Sequence, residues 1–155
     1  MVKLIKASIG DCAEIHKMQV HSFKALLDKY NDIDTNPGAE SIERIITRMK
    51  QDNTDYYLIQ LENKNIGAIR IVRLPNNIHR ISPIFIMPEF QGKGYAKQAI
   101  RKAETLYKQA IGWELDTIKE EPQLCHLYEK MGYHTNGKIE VLQENMTIVY
   151  YVKWG

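Results

Sequence analysis

The chain has 155 residues, with 21 Lys+Arg against 19 Asp+Glu and a formal net charge of +2. Apolar residues make up 44% and charged residues 26%, ordinary globular usage that excludes a disordered or fibrous chain and suits one domain with a real core. Two cysteines, Cys12 and Cys125, exclude a disulfide framework and point to a reducing, cytoplasmic setting, and the near-neutral charge argues against a nucleic-acid partner. Apolar runs of about four or five residues fall far short of the roughly twenty that span a bilayer, so no membrane partner is expected. The segment Met1 to Lys6 is too polar for a signal peptide.

In chain order, Val2 to Ala7 alternates like a short strand, and Ser8 to Asp11 supplies helix-starting residues. Ile15, Met18, Ser22, Ala25 and Leu26 recur at helical spacing and predict a helix over residues 11–30. Asn31 to Gly38 is turn chemistry throughout and reads as a loop. Ile42, Ile45, Ile46 and Met49 stripe a second, short helix. From Asp55 the period becomes that of a strand. Tyr56–Leu61 and Ile66–Leu74 form a hairpin around Glu62-Asn63-Lys64-Asn65, and Ile78–Met87 adds a third strand. A long helix is expected from Glu89–Gly92 onward, marked by Ala96, Ala99, Ile100, Ala103, Leu106, Tyr107 and Ala110 and ended by Gly112. Trp113–Ile118 reads as a strand, and Pro122 opens a short helix with Leu124, Leu127, Tyr128 and Met131 on one face. Strands near Tyr133–Glu140 and Met146–Trp154 finish the chain. No repeat or linker interrupts this order, so residues 1–155 are expected to form a single α/β (α+β) domain with a mixed sheet.

The most informative segment is Ile84-Phe85-Ile86-Met87-Pro88-Glu89-Phe90-Gln91-Gly92-Lys93-Gly94-Tyr95-Ala96, a buried strand that runs through a glycine turn into an amphipathic helix. Glycines let the backbone approach a ligand, and the helix N-terminus offers unpaired N–H groups and a positive dipole end, a combination suited to phosphate or pyrophosphate. Lys93, Lys97, Arg101, Lys102 and Lys108 face only Glu104 between residues 91 and 111. The dinucleotide fingerprint fails because its last glycine is Lys97, and no Gly-Lys-Ser/Thr follows at P-loop spacing. A tight turn with a solvated basic helix face is the competing, purely structural reading.

Gln91-Gly92-Lys93-Gly94-Tyr95-Ala96 resembles the Q/R-x-x-G-x-G/A motif of the GCN5-related N-acetyltransferase (GNAT) superfamily. About 35 residues downstream, Leu127-Tyr128-Glu129-Lys130-Met131-Gly132-Tyr133 resembles its L-Y-x-K-x-G-F/Y element, and the order of elements is similar over nearly the whole chain. The resemblance implies a mixed, mostly antiparallel central sheet of about seven strands, flanked by about four helices. That sheet is splayed at a bulge between two parallel strands, with acetyl-CoA in the cleft. It also implies that the motif residues Gln91, Gly92, Lys93, Gly94, Tyr95 and Ala96 bind the cofactor, the backbone N–H groups of the last five holding the pyrophosphate. Ile84, Phe85 and Ile86 would pair with the pantetheine arm as an added strand does. Pro83 suits a strand that stops pairing there.

The implied activity moves acetyl from acetyl-CoA to a primary amine of a small molecule or peptide, by direct attack in a ternary complex. A proton must leave the amine, and the departing thiolate must be protonated or stabilised. By resemblance Tyr128 is the general acid, since a phenol with a reference pKa of about 10 can protonate a thiolate. A core tyrosine on the stripe with Leu124 and Met131 is the other reading. Many members carry an acidic base on the strand before the turn. Here those positions hold His79, Arg80 and Ser82, which leaves His79 and, on the next strand, Glu114 and Asp116 as candidates. Where the family often has an asparagine, this chain has Glu120-Glu121-Pro122-Gln123, acidity that favours a cationic amine.

The acceptor surface is expected from the first two helices, the 31–38 loop and the loop before the final strand. These carry Asp28, Asp32, Asp34, Glu40, Glu140 and Glu144 beside Phe23 and Tyr30. Cys125 next to His126 raises a thiol nucleophile, against the reading of a small buried cysteine. The histidines lack metal-ligand spacing, so no metal is expected. The family allows a homodimer, with the C-terminal strand adding to a partner's sheet. From another class, a non-catalytic acyl-CoA-binding sensor or regulatory module competes, favoured by the missing acid before the glycine turn.

Overall fold

A computed structural model of the chain describes residues 1–155. The N-terminal half runs β1 (Lys3–Lys6), α1 (Cys12–Tyr30), α2 (Ile42–Met49), β2 (Thr54–Leu61), β3 (Lys64–Arg73) and β4 (Ile78–Ile86). The rest is α3 (Tyr95–Leu106), β5 (Gly112–Ile118), α4 (Pro122–Lys130), β6 (His134–Gln143) and β7 (Met146–Trp154). The strands make one seven-stranded sheet in the order β1-β2-β3-β4-β5-β7-β6. Every neighbouring pair is antiparallel except β4 and β5. The mixed, mostly antiparallel sheet and four α-helices match the expected architecture.

Strand alternation sorts the side chains onto two faces. Tyr57, Ile59, Ile69, Ile71, Ile81, Trp113, Leu115, Val149 and Tyr151 point to one side, where Ala99, Ile100 and Ala103 of α3 and Tyr128 of α4 complete the larger core. Tyr56, Leu58, Ala68 and Phe85 pack on the other side against Cys12, Ile15 and Met18 of α1 and Ile45 of α2. Local chemistry places both covering helices there. Asn31 takes a left-handed conformation (φ 52°) and ends α1, while Ser41 caps α2 by accepting a 3.2 Å hydrogen bond from the Arg44 amide.

Two expectations are corrected. The helix after the glycine turn is 12 residues, Tyr95–Leu106, and stops well before Gly112. Tyr107 leaves helical geometry so that its ring packs edge-on to His79 and Trp113, with centroids 5.1 and 5.8 Å away, and its hydroxyl donates to Asp55 at 2.5 Å. A tertiary contact overrides a local pattern that continues to Ala110. The C-terminal strand is also not an edge. β7 pairs with β5 on one side and β6 on the other, so β6 is the exposed border, with Ile139 and Val141 in solvent.

Asp55 ties four elements together. It accepts from Lys6 of β1 at 2.5 Å, from Arg73 at the end of β3, and from Tyr107 behind α3. Burial alone pushes its carboxyl up, but the hydrogen bonds from Arg73, Lys6 and Tyr107 outweigh it and lower the pKa to about 2. The folded value lies below the unfolded one, so this contribution is complete at neutral pH and is lost as pH falls from about 4 toward 2. Asp55→Asn is expected to cost about 1–2 kcal/mol at pH 7. Urea unfolding followed between pH 7 and 3 checks both that loss and a flatter acid limb in the variant.

Candidate active site

β4 and β5 are bonded over three registers only, Ile78 with Gly112, His79 with Trp113 and Arg80 with Glu114. Beyond Arg80 the strands part, and the edge of β4 from Ile81 to Ile86 that faces β5 is free of strand pairing. The opposite edge of β4 stays bonded to β3 but is interrupted between Ile69 and Ile71, where Arg70 stands opposite Ser82 and Pro83. Pro83 has no N–H to leave unpaired. Arg70 Nε donates to the Ser82 carbonyl and so satisfies the acceptor that the broken ladder exposes.

At the C-terminal end of the free edge the chain enters the glycine turn. Gly92 and Gly94 have φ of +77° and +84°, and Gly94 is the N-cap of α3. None of the amides from Gly92 to Lys97 donates a backbone hydrogen bond within the chain, and the first return bond from this end is Gln98 to Gly94. Consecutive unpaired N–H groups at a helix start form an anion cradle. Gln91 braces the turn from below, its Nε2 donating to the Ile86 carbonyl at 2.8 Å, and Lys93 is exposed beside it. Ile84, Phe85 and Ile86 lie on the free edge leading into the cradle, with Phe85 and Ile86 buried.

Tyr128 stands on α4 among Tyr133 and Tyr151, with ring centroids 6.3 and 6.2 Å away. Those neighbours spend their hydroxyls on Glu104 and Glu129, at 2.8 Å each. The Tyr128 hydroxyl makes no such bond, though the ring is 7% exposed. Burial, with Asp116 and the Cys125 thiol adding to it, raises its pKa, so the phenol stays protonated at physiological pH.

The candidate bases separate. Arg80 bridges the fork to Glu114 at 3.3 Å and to Asp116, so both carboxylates stand at the parting point on the α1/α2 face. His79 lies on the opposite face, buried between Tyr107 and Trp113 with its Nδ1 unpartnered. The structure therefore brings Glu114 and Asp116 together at the fork and puts His79 behind it.

The acidity expected to attract a cationic acceptor is mostly engaged within the protein. Glu121 accepts from Tyr30 and Lys29, each at 2.6 Å, and Glu120 accepts the Thr147 amide at 2.8 Å. Asp28 pairs with Lys24, Asp32 closes its own turn on Thr35, and Glu40 holds Arg48 and Gln19. Cys125 is half-buried with its thiol near the Ile118 carbonyl at 3.7 Å. The residue that sequence reasoning missed is Arg70. Its signal was a lone charge inside the apolar run Ile66–Val72.

A sheet parted at its one parallel pair, with unpaired amides at the end of the freed edge, defines an α/β domain with a cleft that can take an anion at one end. The family model described as the acetyltransferase (GNAT) family matches residues 13–133, and the chain belongs to that family. Among curated relatives, the spermidine N(1)-acetyltransferase of Vibrio cholerae is 29% identical over 107 residues, covering 64% of this chain and 61% of the relative. The enzyme of the same name from Escherichia coli K12 is 29% identical over 92 residues, covering 54% and 47%. The matched segment thus spans less than two thirds of either relative's length. Among solved structures, the PaiA N-acetyltransferase of Thermoplasma acidophilum in complex with coenzyme A superposes with TM-score 0.78 at 17% identity, covering 100% of this chain and 99% of that one. The ribosomal-protein-S18-alanine N-acetyltransferase of Escherichia coli gives 0.79 at 9% identity, with coverage of 99% and 94%. These two likenesses concern the fold.

A Cβ at Gly92 or Gly94 would meet no protein atom within 4 Å, so within the protein itself glycine is required there for its positive φ. Gly92→Ala and Gly94→Ala are each expected to cost about 1 kcal/mol, a fall of roughly 2–4 °C in Tm by thermal melting.

Proposed function

We propose that residues 1–155 act as a single acetyl-CoA-dependent N-acetyltransferase domain. It transfers the acetyl group directly to a primary amine of a small molecule or peptide. The observation that carries this reading is the run of unpaired amides from Gly92 to Lys97 at the end of a β4 edge that β5 has released. A pyrophosphate suits those amides, and the free edge at Ile84, Phe85 and Ile86 suits the amide groups of a pantetheine arm, which then leads the thioester back toward the fork.

Each demand of the reaction has a group near that fork. The amine attacks the thioester carbonyl as a neutral nucleophile, so a base must take its proton. We assign that role to Glu114, with Asp116 beside it. The departing thiolate takes a proton from Tyr128, whose raised pKa keeps the phenol protonated until the sulfur needs it. His79 shapes the closed end of the fork from the opposite face. Two unpaired thiols, Cys12 and Cys125, support a reducing setting such as the cytoplasm. The relatives' names point to polyamines, yet the acids that would hold a polyamine are largely committed to partners in this chain.

Titration calorimetry with acetyl-CoA is expected to show one site, and a thiol-release assay across an amine panel is expected to show amine-dependent turnover. Absence of acetyl-CoA binding would overturn the reading. Binding and thermal stabilisation without thiol release would favour a sensor. Tyr128→Phe is expected to lower kcat at least tenfold and leave acetyl-CoA affinity nearly unchanged. Wild-type turnover in that variant would return Tyr128 to the core.

A further inference from the structure

The α1/α2 face of the sheet carries a guanidinium with no acid of its own. Tyr56 and Arg70 are direct neighbours across β2 and β3, and alternation puts Arg80, Ser82, Glu114 and Asp116 on the same face. The charges there pair off except at one place. Arg80 is held by Glu114 and Asp116, and Arg48 of α2 by Glu40 at 2.8 Å. Arg70 gives only its Nε to the Ser82 carbonyl and leaves the donors on both Nη atoms unused. Its pKa is held down by burial and by the nearby Arg48 guanidinium, with Tyr56 and Glu40 only partly offsetting them, so positive charge without a bonded acid sits in a half-buried place.

A second, independent observation points to the same spot. Tyr56 is 1% exposed, and its Oη faces the Arg48 and Arg70 guanidiniums without a well-formed hydrogen bond to either. Along the adjoining chain of contacts, Gln19 is wholly buried, donates to Glu40 at 2.9 Å and leaves its Oε1 unpaired. Buried polar groups normally find partners, and an unmet hydroxyl beside an unpaired cation marks a place where a ligand can complete the bonding.

We infer that Arg70, with Arg48 and Tyr56, forms a carboxylate subsite of the acceptor pocket, so that the acceptor is an amino acid or short peptide bearing its amine and its carboxylate on one small molecule. This rests on the acetyltransferase reading above. A planar guanidinium fork matches a carboxylate bidentately, and the Tyr56 hydroxyl donates a further bond. Ser82, which anchors Arg70, is two residues from Arg80 at the fork, about 6–7 Å along an extended strand. That span lets one small molecule reach from the Arg70 subsite to the carboxylates of Glu114 and Asp116, which receive its ammonium. A polyamine has no group for Arg70 and would place another cation against it.

The test compares amino acids and dipeptides with their decarboxylated or carboxamide counterparts in the thiol-release assay. The wild-type protein is expected to favour the carboxylate form at least tenfold in kcat/KM. Arg70→Gln is expected to erase that preference through KM, with acetyl-CoA affinity unmoved, and Arg70→Lys to restore part of it. A wild-type preference for spermidine or for decarboxylated amines would overturn the proposal, as would equal losses on both acceptor forms in a folded Arg70→Gln. A stronger response to an amine bearing a phosphate would overturn the commitment to carboxylate. If thiol release is absent with every amine, the acetyltransferase reading fails separately. The subsite is then judged by calorimetry with the dipeptides alone, where binding to wild type that Arg70→Gln abolishes sustains it and no binding refutes it.

Discussion

β4 and β5 are the only parallel neighbours in the sheet, and they hold together for three positions before they separate. The rest of the site depends on that parting. It frees one edge of β4, aims that edge at the glycine turn, and opens a gap into which α4 can lower a tyrosine from one side while α1 and α2 present polar groups from the other. A separated pair needs something to stabilise each half. β4 is kept in place by β3, whose bulge at Arg70 is closed by a side-chain donor to Ser82, and β5 is kept by seven registers with β7. The Arg80 bridge to Glu114 and Asp116 marks where pairing ends and the gap begins.

The two faces of the sheet carry different chemistry. Toward α3 and α4 the surface is apolar and aromatic, and its tyrosines are tied to Glu104 and Glu129 or, in the case of Tyr128, left unbonded in a low-dielectric setting. Toward α1 and α2 the surface carries guanidiniums and carboxylates that nearly balance. The net charge of +2 therefore averages over local arrangements. A basic helix stands behind the anion cradle, a paired cluster sits at the fork, and one arginine has no partner. The last of these stands apart from the others, because half-burying a cation without a bonded acid is costly and calls for an anionic partner.

Much of this is legible in the sequence. The amphipathic period of α1 and α2, the β2–β3 hairpin around Glu62 and Asn63, the glycine turn at Gly92 and Gly94, and the proline at the start of α4 all follow from local chemistry that acts over a few residues. What was not legible shares one cause. Ala110 continues a helical stripe, yet the helix yields at Tyr107 because Asp55, 52 residues away in sequence, offers its hydroxyl a buried acceptor. His79 looks like a strand-end base, yet alternation turns it to the face away from Glu114. The acids near the acceptor side look free in sequence, yet Asp28 and Asp32 take local partners and Glu121 meets the distant Tyr30.

Length, composition and charge define a chain able to bury one core, without a disulfide framework and close to neutral. The sequence alone determined the periodicities of its elements and the glycine turn, since backbone preference and apolar period are properties of neighbouring residues. It also carried the two motifs that mark the family. Which carboxylates remain free, which face a histidine occupies, where α3 stops, and that Arg70 is left unpaired beside the buried Tyr56 were decided by the tertiary structure. Charge pairing and burial are set by residues brought together across the sheet, and no local pattern contains that information.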